Sequence, residues 1–277
     1  MSSTPATRPQ SRLLAGIRLY RILLSASVRA RMQYKLDFVA SATIQAVTGL
    51  YDYFVIAVIL WKFDTVHGWD IYEIGLLYAV SRVGWGLYRI FCDEIERFEN
   101  YIVRGDFDSV LIRPWPSLFV LLSRNIDLTR LGWLVQGAGV GAVSARALLR
   151  AGVLSWAGVG HLVVACVSTG CLFLAVGMAT ASAAFKIVRI EELQVFTENA
   201  SSTATLYPLD IYPGWLRKML LWVIPLGAGN YVPVRHLLGK GGTWVNLALP
   251  PVAAALSLCL ATHLWHLGES RYHSTGS

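Results

Sequence analysis

Charged side chains are scarce in this 277-residue chain. Asp, Glu, Lys and Arg supply 15% of it and hydrophobic residues 55%, whereas soluble domains carry about 25% charged residues. The apolar residues arrive in blocks that reach the roughly 20 residues a membrane-crossing helix needs. A polytopic membrane protein is expected. Nucleotide-binding machinery is missing as well: no G-x-x-x-x-G-K-[ST] motif occurs, and Leu237–Trp244, "LLGKGGTW", has the lysine without the spacing or the following hydroxyl. The chain therefore cannot by itself cradle ATP phosphates. Its four cysteines, Cys92, Cys166, Cys171 and Cys259, form no C-x-x-C pair, which argues against zinc or redox chemistry. His161, His236, His263 and His266 share no ligand pattern. Glu191-Glu192 lacks an accompanying H-E-x-x-H, and no G-x-S-x-G elbow is present. No catalytic residue, metal or cofactor is expected on this chain.

What is present begins with arginine. Residues 1–35 carry seven basic side chains and only short apolar runs, so they do not form a cleavable signal. Leu13, Leu14, Ile17, Tyr20, Leu23, Leu24 and Val28 recur at helical spacing with arginines opposite. That pattern suits an amphipathic helix on an anionic membrane surface, or equally a solvated helix leading into the first span. Either way it places the N-terminus in the cytoplasm. It also accounts for the net charge of +7, and nothing calls for a nucleic-acid partner.

The transmembrane domain is expected over 36–266, with a cytoplasmic tail at 267–277. Spans are expected near Leu36–Leu60, Ile74–Cys92, Leu118–Ala142, Val153–Phe185 and Val245–His266, the third holding a glycine-rich "GAGVGAV" suited to close helix contact. Residues 190–240 allow two topologies. In one, a polar stretch stays cytoplasmic and Lys218–Leu238 crosses. In the other, Glu191–Tyr207 crosses with a wet face and the proline-broken segment dips in and returns, which is tolerated where it is buried against protein. Both put the C-terminus inside.

The polar stretch Arg104–Phe119, "RGDFDSVLIRPWPSLF", interrupts the two greasiest regions. Asp106 and Asp108 are good N-cap residues for a short helix starting near Ser109. Gly105 permits the turn before it, and Pro114 ends it. A rigid, capped helix facing the cytoplasm suits docking to a soluble partner, or serves as an interfacial connector. Within the spans, ionisable residues mark ion or substrate paths: Asp52, Arg82, Glu198 and Asn199 are candidates. Arg82 can instead pair with Asp52, Arg124 with Asp127, and the polar group around Glu198 can simply bond neighbouring helices.

The same stretch, Gly105–Phe119, resembles the Gly-x-Leu-Asp-…-Leu-Leu-Arg-Pro-…-Pro-Leu-Phe signature of the bacterial ABC-2-type permeases, the six-span membrane subunits of ABC transporters. Tyr207–Pro213, "YPLDIYP", is similar to their Tyr-Pro-…-Tyr-Pro element before the last span, and "LGESRYHSTGS" to their tail. Phe107 departs from the pattern's leucine. The resemblance implies an all-α membrane protein with six transmembrane helices, a cytoplasmic coupling helix within 93–116 and a re-entrant external segment at 207–240. It implies that Asp106, Phe107, Asp108, Leu111, Arg113 and Pro114 engage a separate nucleotide-binding ATPase in two copies, with ATP and magnesium on that partner. Phe107 and Leu111 would fill the partner's groove. A second permease subunit, identical or related, would complete the path, and Tyr207, Pro208, Tyr212 and Pro213 would form an external gate. An exporter of amphipathic or lipid-like cargo in the cell's inner membrane is expected. The rival is an ion-coupled secondary transporter that needs no ATPase.

Overall fold

The structure is a computed structural model that describes residues 18, 21, 22, 25, 26, 29, 33–63, 65–187 and 189–272. The amphipathic helix expected over 1–35 and the tail end 273–277 lie for the most part outside the described residues. The described residues are helical apart from turns and one isolated bridge, Val66 with Trp69. Five long helices dominate: α1 (Lys35–Phe63), α2 (Ile71–Phe91), α7 (Leu131–Arg150), α8 (Trp156–Ser182) and α13 (Val245–Glu269). Short helices fill two places between them. At one end of the bundle lie α3 (Asp93–Glu96), α4 (Phe98–Val103), α5 (Asp108–Leu111) and α6 (Ser117–Arg124). After α9 (Glu191–Ala204) come α10 (Gly214–Lys218), α11 (Leu226–Gly229) and α12 (Tyr231–Leu237).

Three helices among the described residues are long and apolar enough to cross a membrane: Lys35–Phe63, Trp156–Phe185 and Val245–Glu269. The first and last bury little of themselves, and the hydrocarbon of the bilayer is what their exposed Val, Leu and Phe side chains suit. Helix α2 sits at the centre, against α7 and α8, and is buried on nearly every side. A capping box starts it: Asp70 accepts from the amides of Tyr72 and Glu73, and Glu73 accepts from the Asp70 amide at 2.8 Å. Such a cap contributes about 1 kcal/mol.

The glycine-rich run works as its composition suggests, on one face. A Cβ at Gly137 would stand 2.9 Å from the Cβ of Arg82, and one at Gly141 2.8 Å from that of Ala79, while Gly139 faces open space. Small residues let α7 close onto α2.

The third span differs from expectation. Helix α6 stops at Arg124, Asn125 is extended, and α7 begins only at Leu131. Asp127 donates its amide to the Ile90 carbonyl at 3.0 Å and pairs with Arg130 at 3.1 Å. Arg124 lies over the Tyr101 ring. The chain is pulled out of helix there by a tertiary bond to the end of α2.

Helix α9 is inside out. Its buried stripe is polar, Gln194, Glu198, Ser201 and Ser202, whereas Leu193, Val195 and Phe196 are exposed. It is 14 residues long, which rises about 21 Å against a hydrocarbon core of about 30 Å. It runs antiparallel to α2 and ends level with Ser81, midway along that helix, because Ser81 Oγ donates to the Thr205 carbonyl at 2.7 Å.

Candidate functional site

The connector between α2 and α7 is anchored by aromatic rings. Phe107 is 0% exposed and packs edge-on to Phe98, Phe185 and Tyr272. Trp265 of α13 stacks among them and donates to Ser117 Oγ at 3.0 Å. Phe107 is thus the plug of this chain's own core, and the expectation that it fills a partner's groove is corrected: a side chain with no exposed area has no surface to offer. Each such ring pair adds about 0.5–1.5 kcal/mol beyond burial. Gly105 turns the chain at φ 71° as expected.

Helix α5 starts at Asp108 without a side-chain cap, because Phe107 already has helical angles. The capping role expected of Asp106 and Asp108 is corrected accordingly. Asp106 is exposed and its carbonyl accepts from Ser109 Oγ. Asp108 lies beside the Tyr272 phenol, whose pKa is raised by burial and by that carboxylate. Leu111 is 42% exposed, Arg113 and Pro114 are exposed, and Ile112, which sequence reasoning passed over, is 84% exposed. An exposed Ile-Arg-Pro edge on a buried aromatic plug is the geometry of a stiff tip. Behind it Tyr101 donates to Glu94, and burial followed by that carboxylate holds the phenol well above its usual pKa.

Of the residues expected along a transport path, two meet. Arg82 donates to Asp52 at 2.5 Å across α1 and α2, and its guanidinium lies over the rings of Trp133 and Tyr78. Glu198 and Asn199 part company: Glu198 is 3% exposed, while Asn199 faces outward. Glu198 accepts from Tyr88 at 2.7 Å and Gln194 at 3.1 Å, and Arg89 lies 3.6 Å away while also pairing with Glu96.

At the opposite end of α2, Asp210 is a hub. It accepts from Trp69 Nε1 at 3.0 Å and from the Tyr231 hydroxyl at 2.7 Å, and pairs with Arg217 at 3.3 Å. Lys240 joins this group to the turn before α2: it donates to the Gly68 carbonyl, pairs with Glu73 at 3.0 Å and lies over the Trp69 ring. Tyr212 donates to the Ala204 carbonyl at 3.1 Å. Tyr207 is half-buried, Pro208 buried, and Pro213 exposed at the start of α10. Asn230 reaches inward to Ser81 and the Thr205 carbonyl, both at 2.7 Å. Proline brackets the region, and residues 207–240 hold only short helical pieces, one of them a π-turn at Met219–Val223.

A family model described as ABC-2 family transporter protein matches residues 46–276, a stretch that takes in the connector tip, α9 and the Asp210 hub together. This chain belongs to the ABC-2 transporter family. A search of curated proteins found no match. Membership makes the chain a membrane permease of an ABC transporter, of a family whose members are generally non-catalytic membrane subunits and generally work with an ATPase subunit. Among the described residues of this ABC-2 permease no three His, Cys, Asp or Glu side chains come together as metal ligands. Three features stand out in the geometry: the tip at 111–113, the buried polar stripe of α9 and the Asp210 hub. The last went unrecognised in the sequence because its members come from four separated segments; only the YPLDIYP element hinted at it.

Proposed function

We propose that this chain is the permease subunit of an ATP-driven exporter of amphipathic or lipid-like cargo. The observation that carries the reading is the exposed tip Leu111-Ile112-Arg113 on a connector anchored by the buried ring of Phe107. An isoleucine left 84% exposed at a rigid tip suits a partner's apolar groove, and Arg113 supplies a charged contact beside it. The partner is a separate ATPase, in two copies, that holds ATP and magnesium. A second permease, identical or related, completes the assembly in the inner membrane, with both termini cytoplasmic.

Six crossings follow if α2, α7 and α9 are counted with the three apolar spans. Helices of 20 and 21 residues rise about 30 Å, and α9, which is shorter, is completed outward by the broken segment. On this reading residues 207–240 occupy the outer half of the membrane domain as a re-entrant gate, consistent with Asn230 reaching Ser81 at mid-height of α2. The path lies beside α1, α2 and α9, with Asp52, Arg82 and Glu198 as its polar border and Tyr207, Pro208, Tyr212 and Pro213 at its outer mouth.

The test is Ile112→Asp. The variant is expected to insert and fold normally while losing its co-purifying ATPase; an intact complex overturns the docking role. A second reading, ion-coupled transport without an ATPase, draws on the buried carboxylate of Glu198. Transport by the purified chain in vesicles, driven by an ion gradient alone, selects it.

A further inference from the structure

Both ends of α9 are capped by the two regions a transporter must keep in step. A helix leaves its first amides and last carbonyls without internal partners, and the residues that satisfy them are ordinarily local. Here the first amides, of Ile190 and Glu191, donate to the carboxylate of Glu99 in the connector, at 2.6 and 2.5 Å. At the other end the Ala204 carbonyl accepts from Tyr212, and the Thr205 carbonyl accepts from Asn230 and Ser81. Tyr212 and Asn230 belong to the broken outer segment.

The shaft between these ends is tied along one stripe. Gln194 Nε2 donates to the Ile95 carbonyl of the connector at 3.1 Å and to Glu198 at 3.1 Å. Arg89 bridges Glu198 to Glu96 of the connector. Positions 190, 194, 198, 201 and 205 repeat at helical spacing, so the ties fall on one face. The opposite face offers Leu193, Val195, Phe196 and Asn199 to the surroundings and holds nothing back. Charge-assisted bonds to helix ends are short and directional, and a 14-residue helix hydrogen-bonded throughout does not shorten when pushed.

We infer that α9 is a push-rod. Displacement of the connector by the ATPase is passed through Glu99, Gln194 and the Glu96–Arg89–Glu198 bridge to α9, and α9 delivers it at Tyr212 and Asn230 to the outer gate. Glu99 and Gln194 are positioning residues in this scheme, and α2, bonded to α9 at Ser81, Tyr88 and Arg89, is displaced together with the rod at those ties. The inference rests on the ATP-driven reading above and adds the route.

The experiment uses the complex purified with its ATPase in nanodiscs, in a Cys259→Ser background with Trp215→Cys as a reporter on exposed α10. Labelling by an impermeant maleimide is timed without nucleotide and after trapping with Mg-ATP and vanadate. The parent is expected to show a rate ratio of about fivefold or more between the two states, the lower end of ordinary coupling between sites. Glu99→Ala and Gln194→Leu are expected to bring that ratio close to one. A purely structural role would shift both rates together and leave the ratio intact; that result overturns the rod. A ratio of one in the parent overturns the ATP-driven reading itself. Should Gln194→Leu fail to assemble, Glu99→Gln at the half-buried cytoplasmic end reads the same step, with the ratio falling by part of the full amount.

Discussion

The two broken regions of the chain, the connector at 93–116 and the segment at 207–240, are built from similar short helices but held by opposite chemistry. The connector closes on rings: Phe98, Phe107, Phe185 and Trp265 within 4.5–6.4 Å of one another. The segment at 207–240 closes on one carboxylate, Asp210, with Trp69, Tyr231 and Arg217 around it. Packed aromatics resist displacement in every direction and ignore salt. A hub of hydrogen bonds and charges is firm while complete and releases in one step when a partner leaves, since water replaces what is lost. Under the proposed mechanism transmission needs the first property and gating the second.

The largest break in this comparison is expected from Phe107→Ala. Removing a fully buried ring costs about 3–5 kcal/mol, so thermal unfolding of the purified protein should shift strongly downward and ATPase co-purification should fail with it. Asp210→Ala comes next: it strands the Trp69 and Tyr231 donors at about 1–3 kcal/mol, and labelling of Trp215→Cys should accelerate without nucleotide while ATPase binding persists. High salt should mimic part of that acceleration and leave the connector unmoved. Asp70→Ala removes the α2 cap for about 1 kcal/mol, a small drop in thermal midpoint. Ile112→Asp is the smallest in stability, within about 0.5 kcal/mol for an exposed site, yet it should abolish the complex. A tip variant with normal unfolding and no ATPase, beside a plug variant that loses both, separates docking from stiffness.

Hydropathy reads what faces lipid. The expected spans Leu36–Leu60 and Val245–His266 fall within Lys35–Phe63 and Val245–Glu269, because those helices leave most of their apolar side chains exposed and their composition states it. Pro225 and Pro233 likewise favoured a broken segment, and residues 207–240 hold only short helical pieces. The break at Asn125 was illegible: no proline or glycine marks it, and the Asp127 amide reaching the Ile90 carbonyl is a tertiary bond that no local pattern encodes. Phe107 was misread because a phenylalanine in a polar loop has the same spelling whether it points to a partner or to Trp265. Helix α9 defied periodicity in a different way. Its polar stripe fitted a cytoplasmic stretch and a wet-faced span equally, and only the burial of Gln194 and Glu198 shows that the polar side is the inside. Family resemblance, not hydropathy, led to the right segment as helix.

The inverted polarity of α9 also bears on how the protein is made. A stretch carrying Glu191, Glu192, Gln194 and Glu198 is a poor candidate for partitioning into lipid unaided, since a charged residue near a helix centre, as Glu198 is in Glu191–Ala204, opposes insertion by about 2.5–3.5 kcal/mol. If α9 crosses as proposed, it waits at the translocon until Tyr88, Arg89 and the segment at 207–240 can receive it. Biogenesis is then cooperative over its second half, and a chain truncated before Asn230 should leave this helix stranded outside the bilayer, exposed to quality-control proteases.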